Sequence, residues 1–180
     1  MTTVEPIRDL TSLKKVEAIL TKQSLRNVLF FSLGTNCGLR ISDIVSLNVV
    51  DVRDKNFIEI IEKKTGKYKK FPINAKLLSM IKIYVKNKRG KQPLFLSKHK
   101  KRLDRYGAYR IIKAACKKAK IEEKVGTHTL RKTFGYHHYQ KFKDVAMLQK
   151  IFNHSSPEIT LRYIGIEQEQ IYESYVNFVL

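Results

Sequence analysis

The sequence has only two cysteines, no tryptophan and no long apolar run. Cys37 and Cys116 lie far apart and outside any C-x-x-C pattern, so neither a disulfide framework nor a zinc module is indicated. No apolar stretch approaches the ~20 residues that a membrane-spanning helix needs, and the first residues lack the basic-then-apolar pattern of a secretory signal. We therefore expect a protein of a reducing, cytoplasmic compartment that does not associate with a membrane.

Acidic residues are also scarce relative to basic ones. The chain has 36 Lys and Arg against 16 Asp and Glu, which gives a formal net charge of +20. This excess is larger than solubility requires, and it favours a polyanionic partner such as nucleic acid. A basic soluble protein of another kind, such as a ribosome-associated factor, fits the charge about as well. Charge alone therefore leaves the function open.

The periodicity of the apolar residues predicts an α+β fold that is mainly helical. The four prolines are scattered and no low-complexity segment divides the chain, so we expect a single domain over residues 1–180. Thr11 and Ser42 are predicted helix caps, and Gly38 is a predicted helix end. Between residues 56 and 73 the period changes to two around KKTGK, which predicts a small β-hairpin sheet.

Basic residues cluster at the predicted hairpin turn and in the stretch between Lys86 and Arg105. Clusters of this kind suit contacts with DNA phosphates, although many of the side chains could equally be solvated. The residues that we expect to contact DNA are Lys63, Lys67, Lys98, Lys100, Lys101, Arg102, Arg105 and Lys132.

Three short motifs in the second half of the chain carry side chains suited to phosphate chemistry. HTLR contributes His128 and Arg131, NHSS contributes His154, and TLRY ends in Tyr163. With Arg40, they form a set of cations, imidazoles and one phenol without an obvious carboxylate pair for a metal ion. A guanidinium stays charged at any working pH and can bind two phosphate oxygens at once. The set predicts phosphoryl transfer that needs neither a metal nor another cofactor.

The order of these motifs resembles that of the tyrosine recombinases, the family of phage integrases and Xer-like proteins. GLRISDIVSL is similar to the first box of the family, with Arg40 as its arginine and Asp43 three positions later. EKKTGKYKKFPI resembles the family's β-hairpin, and counting back from Pro72 places the hairpin lysine at Lys64, with Lys63 and Lys67 as rivals.

HTLRKTF resembles the second box, and IFNHSSPEITLRY resembles the stretch that holds the second histidine and the tyrosine. The family more often has Leu-Gly before that histidine, where this chain has Phe152 and Asn153. The departure affects a supporting turn and no catalytic position. The resemblance covers residues 38 to 163, nearly the whole chain.

The resemblance implies that Tyr163 attacks a DNA phosphodiester and forms a 3′-phosphotyrosine link. Arg40, Arg131 and His154 would then stabilise the developing negative charge. Lys64 would protonate the departing 5′ oxygen, and His128 would act as a hydrogen-bonding partner or general base.

The resemblance also implies a double-stranded DNA partner, a monomer in solution and a homo-tetramer on paired DNA sites. An N-terminal core-binding domain is expected to be absent. The C-terminal tail, about residues 165–180, could dock on a neighbouring protomer or pack in cis. Two alternative functions are DNA relaxation like that of a type IB topoisomerase, and a DNA-binding accessory role without strand exchange.

Overall fold

The order of helices and strands follows the predicted α+β pattern. The computed structural model describes residues 4–61 and 66–179. A two-stranded sheet lies among helices that pack on one another. In the described residues the elements are α1 (Leu10–Gln23), α2 (Leu25–Cys37), α3 (Ile41–Ser46), β1 (Phe57–Ile61), β2 (Tyr68–Pro72), α4 (Ala75–Val85), α5 (Arg105–Lys118), α6 (Thr129–Phe142), α7 (Val145–Phe152), α8 (Pro157–Ile164) and α9 (Ile166–Val176).

Two of the predicted helix caps are wrong, each by two positions. Asp9, and not Thr11, caps α1, because its carboxylate accepts hydrogen bonds from the backbone N–H groups of Thr11 and Ser12. Helix α3 begins at Ile41, so that Arg40, and not Ser42, occupies the position before its first turn. An arginine therefore stands where a capping side chain usually stands.

The larger hydrophobic core surrounds α2. Phe30, Phe31 and Leu33 are each at most 1% exposed, because α1, α4 and α6 cover different faces of this helix. Phe95 packs edge-on against Phe30, with ring centroids 5.5 Å apart. Such burial on almost every side explains why this segment is nearly continuously apolar. The core fixes the end of α2, which leads directly into Arg40.

The β-hairpin packs one face on this core. Strands β1 and β2 are antiparallel, with Phe57 opposite Pro72 and Ile61 opposite Tyr68. Ile58 is fully buried and its cross-strand partner Phe71 is 6% exposed. The hairpin expected near residues 56–73 is confirmed.

A smaller core forms between α6, α7, α8 and α9. Its buried members include Leu148, Phe152 and Ile164, with Tyr136 of α6. Helix α6 takes part in both cores, since Leu130 near its start belongs to the larger one. The second half of the chain thereby places a separately packed unit beside the end of α2.

The C-terminal helix α9 packs in cis at its beginning only. Ile166 is buried, and the Tyr136 hydroxyl donates a hydrogen bond of 3.1 Å to Glu169 Oε1. The apolar side chains that follow are exposed in this protomer: Ile171, Tyr172, Tyr175, Val176, Phe178 and Val179. Across the part of the chain that the structure describes, no helix combines the length and apolar character needed to cross a bilayer.

Candidate active site

Arg131 joins the two cores at the centre of the site. Its side chain is buried on α6, where one guanidinium nitrogen donates to the carbonyl of Gly38 and the other to the carbonyl of Phe152 at 3.2 Å. The guanidinium also lies 4.5 Å from the centroid of the Phe152 ring. Anchors on both sides hold this cation in a fixed orientation.

Arg40 lies in the corner between α2 and α3, as the sequence predicts. Gly38 ends α2 with a φ of 64°, in the left-handed region, and the chain then turns into α3. The Arg40 side chain is 16% exposed, and its Nη1 lies 4.0 Å from Asp43 Oδ2. The nearly buried carboxylate partly balances the charge of Arg40 and limits how its side chain can move.

Tyr163 projects from α8 into a ring of aromatic groups. Its ring centroid is 5.4 Å from that of Phe152 and 5.1 Å from that of His154, both in edge-on arrangements. Its hydroxyl lies 3.3 Å from His128 Nδ1, within hydrogen-bond reach. The structure therefore brings the predicted nucleophile together with both predicted histidines.

The two histidines are held by different local structures. His154 follows Asn153, the left-handed residue that ends α7, and its Nδ1 lies 3.0 Å from the hydroxyl of buried Thr160. His128 precedes the first residue of α6 and makes no side-chain capping bond to that helix. Its ring can therefore turn toward Tyr163.

The environment of Tyr163 acts on its proton in two opposite ways. Burial raises the pKa of the hydroxyl above its ordinary value, because a phenolate is poorly solvated inside the protein. The charges of Arg131 and Arg40, together with hydrogen bonding from Arg131, oppose that rise. Both guanidiniums therefore act on the atom that would carry the negative charge.

Lys132 lies in the site, although the sequence suggested a surface contact with DNA. It is 5% exposed, and its Nζ is 5.1 Å from the centroid of the Tyr163 ring. Burial lowers the pKa of its ammonium group; nearby Glu5 raises the pKa and Arg8 lowers it. The spacing His128, Arg131, Lys132 on one helical face is the signal that could have placed it here.

The hairpin reaches the same region through the residues around β2. Lys67 Nζ donates to Asn153 Oδ1 at 3.3 Å, and Lys69 Nζ donates to the carbonyl of Ile151. Both acceptors belong to the end of α7, next to His154. The predicted catalytic Lys64 and its rival Lys63 lie outside the described residues.

In the basic stretch before α5, Arg102 has a structural role that sequence reasoning missed. Its Nη1 donates to the carbonyls of Val45, Ser46 and Leu47, and its Nη2 donates to Asn48 Oδ1. These donors are engaged at the end of α3, and contact of Arg102 with a phosphate stays a prediction. The other expected DNA-contacting side chains of this stretch are exposed: Lys98, Lys100, Lys101 and Arg105.

The arrangement combines one nucleophilic hydroxyl with fixed positive charge. Among the described residues, no group of three His, Cys, Asp or Glu side chains is placed to hold a metal ion. Guanidiniums and imidazoles beside a phenol can bind an anionic phosphate and support its attack by the phenol oxygen.

Comparison with known proteins decides the family. The model of the phage integrase family matches residues 8–170. The chain belongs to this family. It is 44% identical over 176 residues to the probable integrase/recombinase YoeC of Bacillus subtilis, covering 97% of each chain. It is 30% identical over 166 residues to the tyrosine recombinase XerA of Pyrococcus furiosus, covering 89% of this chain and 57% of that protein.

Solved structures of the family share the fold. The XerA recombinase superposes with a TM-score of 0.77 at 22% identity, covering 97% of this chain and 65% of the other. The catalytic domain of bacteriophage HP1 integrase gives a TM-score of 0.69 at 25% identity, covering 90% of this chain and 88% of the other. This phage integrase family member is thus a tyrosine recombinase catalytic domain, and it spans about half to two thirds of the Xer proteins that it matches.

Proposed function

We propose that this recombinase domain cleaves and rejoins double-stranded DNA through a covalent bond between Tyr163 and a 3′ phosphate. The observation that carries the proposal is the position of the Tyr163 hydroxyl, 3.3 Å from His128 and within the electrostatic influence of Arg131 and Arg40. A phenol of ordinary pKa is ionised in only about one molecule in a thousand at neutral pH. The site must therefore assist loss of the proton during attack.

In the cleavage step, Tyr163 Oη bonds to phosphorus and the bond from phosphorus to the 5′ oxygen breaks. The tyrosine proton passes to His128 or to a phosphate oxygen. The departing 5′ oxygen takes a proton from a hairpin lysine, which we assign to Lys64, with Lys63 and Lys67 as the alternatives. No net oxidation occurs, and neither a metal ion nor ATP enters the balance.

Arg40, Arg131 and His154 stabilise the charge that grows on the phosphate oxygens during this step. Arg131 is held by two carbonyl anchors, which fix the plane of its guanidinium. Removal of a single donor of this kind typically costs roughly a hundred- to thousandfold in rate.

Rejoining reverses the same steps. The phosphotyrosine ester retains the energy of the broken phosphodiester, so attack by a 5′ hydroxyl releases Tyr163 without another energy source. When that hydroxyl belongs to a second duplex, the product is a recombinant strand. This exchange distinguishes the proposal from simple relaxation of one duplex, and the recombinases among the relatives favour it over a topoisomerase or an inactive accessory role.

The proposed partner is double-stranded DNA, bound in the cytoplasm by a homo-tetramer on paired sites, with a monomer when free. Two solved structures of lambda integrase with the same fold are a dimer bound to a core site and a tetramer bound to a Holliday junction. In this chain, the exposed apolar residues of α9 beyond Glu169 are the proposed docking segment between protomers. The exposed lysines before α5 are proposed to contact phosphates.

A nicked suicide duplex tests the cleavage step, because loss of a short fragment prevents rejoining and traps the adduct. We expect a covalent protein–DNA adduct in the presence of EDTA, and no adduct from Tyr163→Phe. Tyr139→Phe serves as the matched control, because Tyr139 also packs against the smaller core but lies outside the charged cluster. An adduct that persists in Tyr163→Phe would remove Tyr163 from its proposed role.

A further inference from the structure

The turn at the end of α7 holds lysines that reach it from the hairpin. Asn153 Oδ1 accepts from Lys67, and the carbonyl of Ile151 accepts from Lys69. Lys67 directly precedes β2 and Lys69 is the second residue of β2, and both side chains leave the hairpin on the side that faces α7. The C-terminal end of a helix also carries partial negative charge, which attracts cations. The hairpin is thereby attached to α7 at two adjacent points.

The same turn is part of the site. Between the two acceptors lies Phe152, whose carbonyl accepts from Arg131, and directly after Asn153 comes His154. A displacement of the hairpin relative to this turn is therefore a displacement relative to Arg131 and His154. Attachment through Asn153 sets the position of Lys67 with respect to these two residues.

Asn153 makes this contact from an unfavourable backbone conformation. Asn153 has φ 57° and ψ 49°, the left-handed conformation that glycine adopts most readily. Asparagine tolerates this conformation better than most residues, but glycine would adopt it with less strain. Glycine has no side-chain acceptor, so the asparagine provides a contact with Lys67 that glycine could not.

We infer that Asn153 is a positioning residue for leaving-group protonation: it holds Lys67, one of the candidate proton donors of the hairpin, against the turn that carries His154. The inference rests on the proposed function, because it concerns the proton given to the 5′ oxygen during cleavage. Asn153 acts through Lys67 and does not itself contact the reacting atoms.

The test compares two DNA substrates for each variant. In the first, the leaving atom at the cleavage point is the normal 5′ oxygen; in the second, a sulfur atom replaces that bridging oxygen. A thiolate leaves without protonation because a thiol is far more acidic than an alcohol. A defect in the position of the proton donor therefore slows cleavage of the first substrate and spares cleavage of the second.

Asn153→Gly keeps the backbone conformation and removes the acceptor. We expect its cleavage of ordinary DNA to be slower by about tenfold or more, within the range that general acid catalysis contributes. Its cleavage of the sulfur-bridged DNA should match the wild type. Asn153→Asp keeps an acceptor for Lys67 and should restore most of the rate on ordinary DNA.

Two control variants isolate the contact. Asp54→Gly places glycine at another exposed residue with a left-handed φ, 55°, and should cleave both substrates normally. Lys70→Gln removes a lysine that pairs with Glu59 across the hairpin and lies on the other side of β2, and it should keep the ratio of the two rates. Lys67→Gln, measured alone and combined with Asn153→Gly, gives an independent test. Because both changes break the same contact, the loss of cleavage rate in the double variant should be smaller than the two single losses combined.

The outcomes separate this inference from the proposed function. Equal rates for Asn153→Gly and the wild type on ordinary DNA would overturn the inference, as would an equal loss on both substrates. In either case the covalent adduct, and with it the role of Tyr163, would stand. An adduct that survives Tyr163→Phe would instead contradict the proposed function.

Discussion

Lys132 places a buried ammonium group beside the ring of Tyr163. We expect Lys132→Met to slow adduct formation at neutral pH by about tenfold, because it removes a positive charge beside the ring whose oxygen becomes negative during attack. Because burial lowers the pKa of Lys132, the lysine loses its charge earlier than usual as the pH rises. The ratio of wild-type to variant rates should therefore shrink at alkaline pH.

Rates of adduct formation measured across a pH series check this prediction. Lys141→Met is the matched control, since Lys141 lies on the same helix over the Phe142 ring and is exposed. A wild-type to variant ratio that stays constant with pH would contradict an electrostatic role for Lys132.

Gly38 combines a left-handed backbone with a close contact. A β-carbon at this position would lie 2.5 Å from a ring carbon of Phe134, and the Gly38 carbonyl holds Arg131. We expect Gly38→Ala to lower the free energy of unfolding by about 2–4 kcal/mol, from backbone strain and overpacking together. Gly66→Ala has a similar φ but open space around it, so it should cost about 1–2 kcal/mol.

Urea unfolding of the two glycine variants measures how much stability each substitution removes. An equal loss of stability in both would show that the contact with Phe134 contributes nothing. A further consequence of the crowding is a lower cleavage rate for Gly38→Ala, because this change displaces the carbonyl that anchors Arg131.

At the residue scale, the motifs predicted the side chains that come together around Tyr163 but not the residues that hold those side chains in place. Arg40, His128, Arg131, His154 and Tyr163 could be found because each belongs to a motif whose chemistry is recognisable in one dimension. The role of Asn153 depends on which elements become neighbours in the fold, whereas the position of Lys132 follows from its spacing to His128 and Arg131 on one helix. Sequence spacing gives that information only within one helix.

Among the elements, the short helix α3 depends on support from outside the helix. It has six residues, which is too short for a helix to be stable by itself, and Arg102 satisfies its last carbonyls. We expect Arg102→Met to lower the free energy of unfolding by about 1–2 kcal/mol and to slow cleavage, since Arg40 stands at the other end of α3.

The salt dependence of DNA binding distinguishes this role from a phosphate contact. If Arg102 supports α3 only, the slope of log affinity against log salt should be the same in Arg102→Met and the wild type. Loss of one phosphate contact would reduce the slope by about 0.9. Lys101→Met, at an exposed neighbour, controls for the loss of charge and should leave stability unchanged.

Element types were more predictable than element ends. The helices and the hairpin followed from apolar spacing, and Gly38 follows the last residue of α2 as predicted. Helix α1 begins earlier than predicted, because a carboxylate two residues before Thr11 reaches two backbone donors at once. Competition between neighbouring capping residues is decided by geometry that the sequence does not contain.

At the scale of the whole molecule, the two thiols report on global unfolding. Burial raises the pKa of Cys37 to about 12 and that of Cys116 to about 11, the latter helped by nearby Glu123. Because the thiolate is the reactive form, we expect both cysteines to resist alkylation at pH 8 in the native protein. Both should react when urea unfolds the chain.

Mass spectrometry after a short pulse of iodoacetamide measures this protection. Two labels at denaturing urea and none in its absence are the expected result. Rapid labelling of the native protein would show that one of the helices α2 and α5 opens readily, and the labelled peptide would identify which.

The division into two cores has a consequence for local unfolding. Tyr163 packs against the smaller core, whereas the end of α2 and the residues on either side of Arg40 belong to the larger core. A small unit can open at a lower free energy than the whole molecule, and hydrogen exchange would reveal such opening in α7 and α8. Opening of the smaller unit alone would carry Tyr163 away from Arg40 while the larger core stays folded.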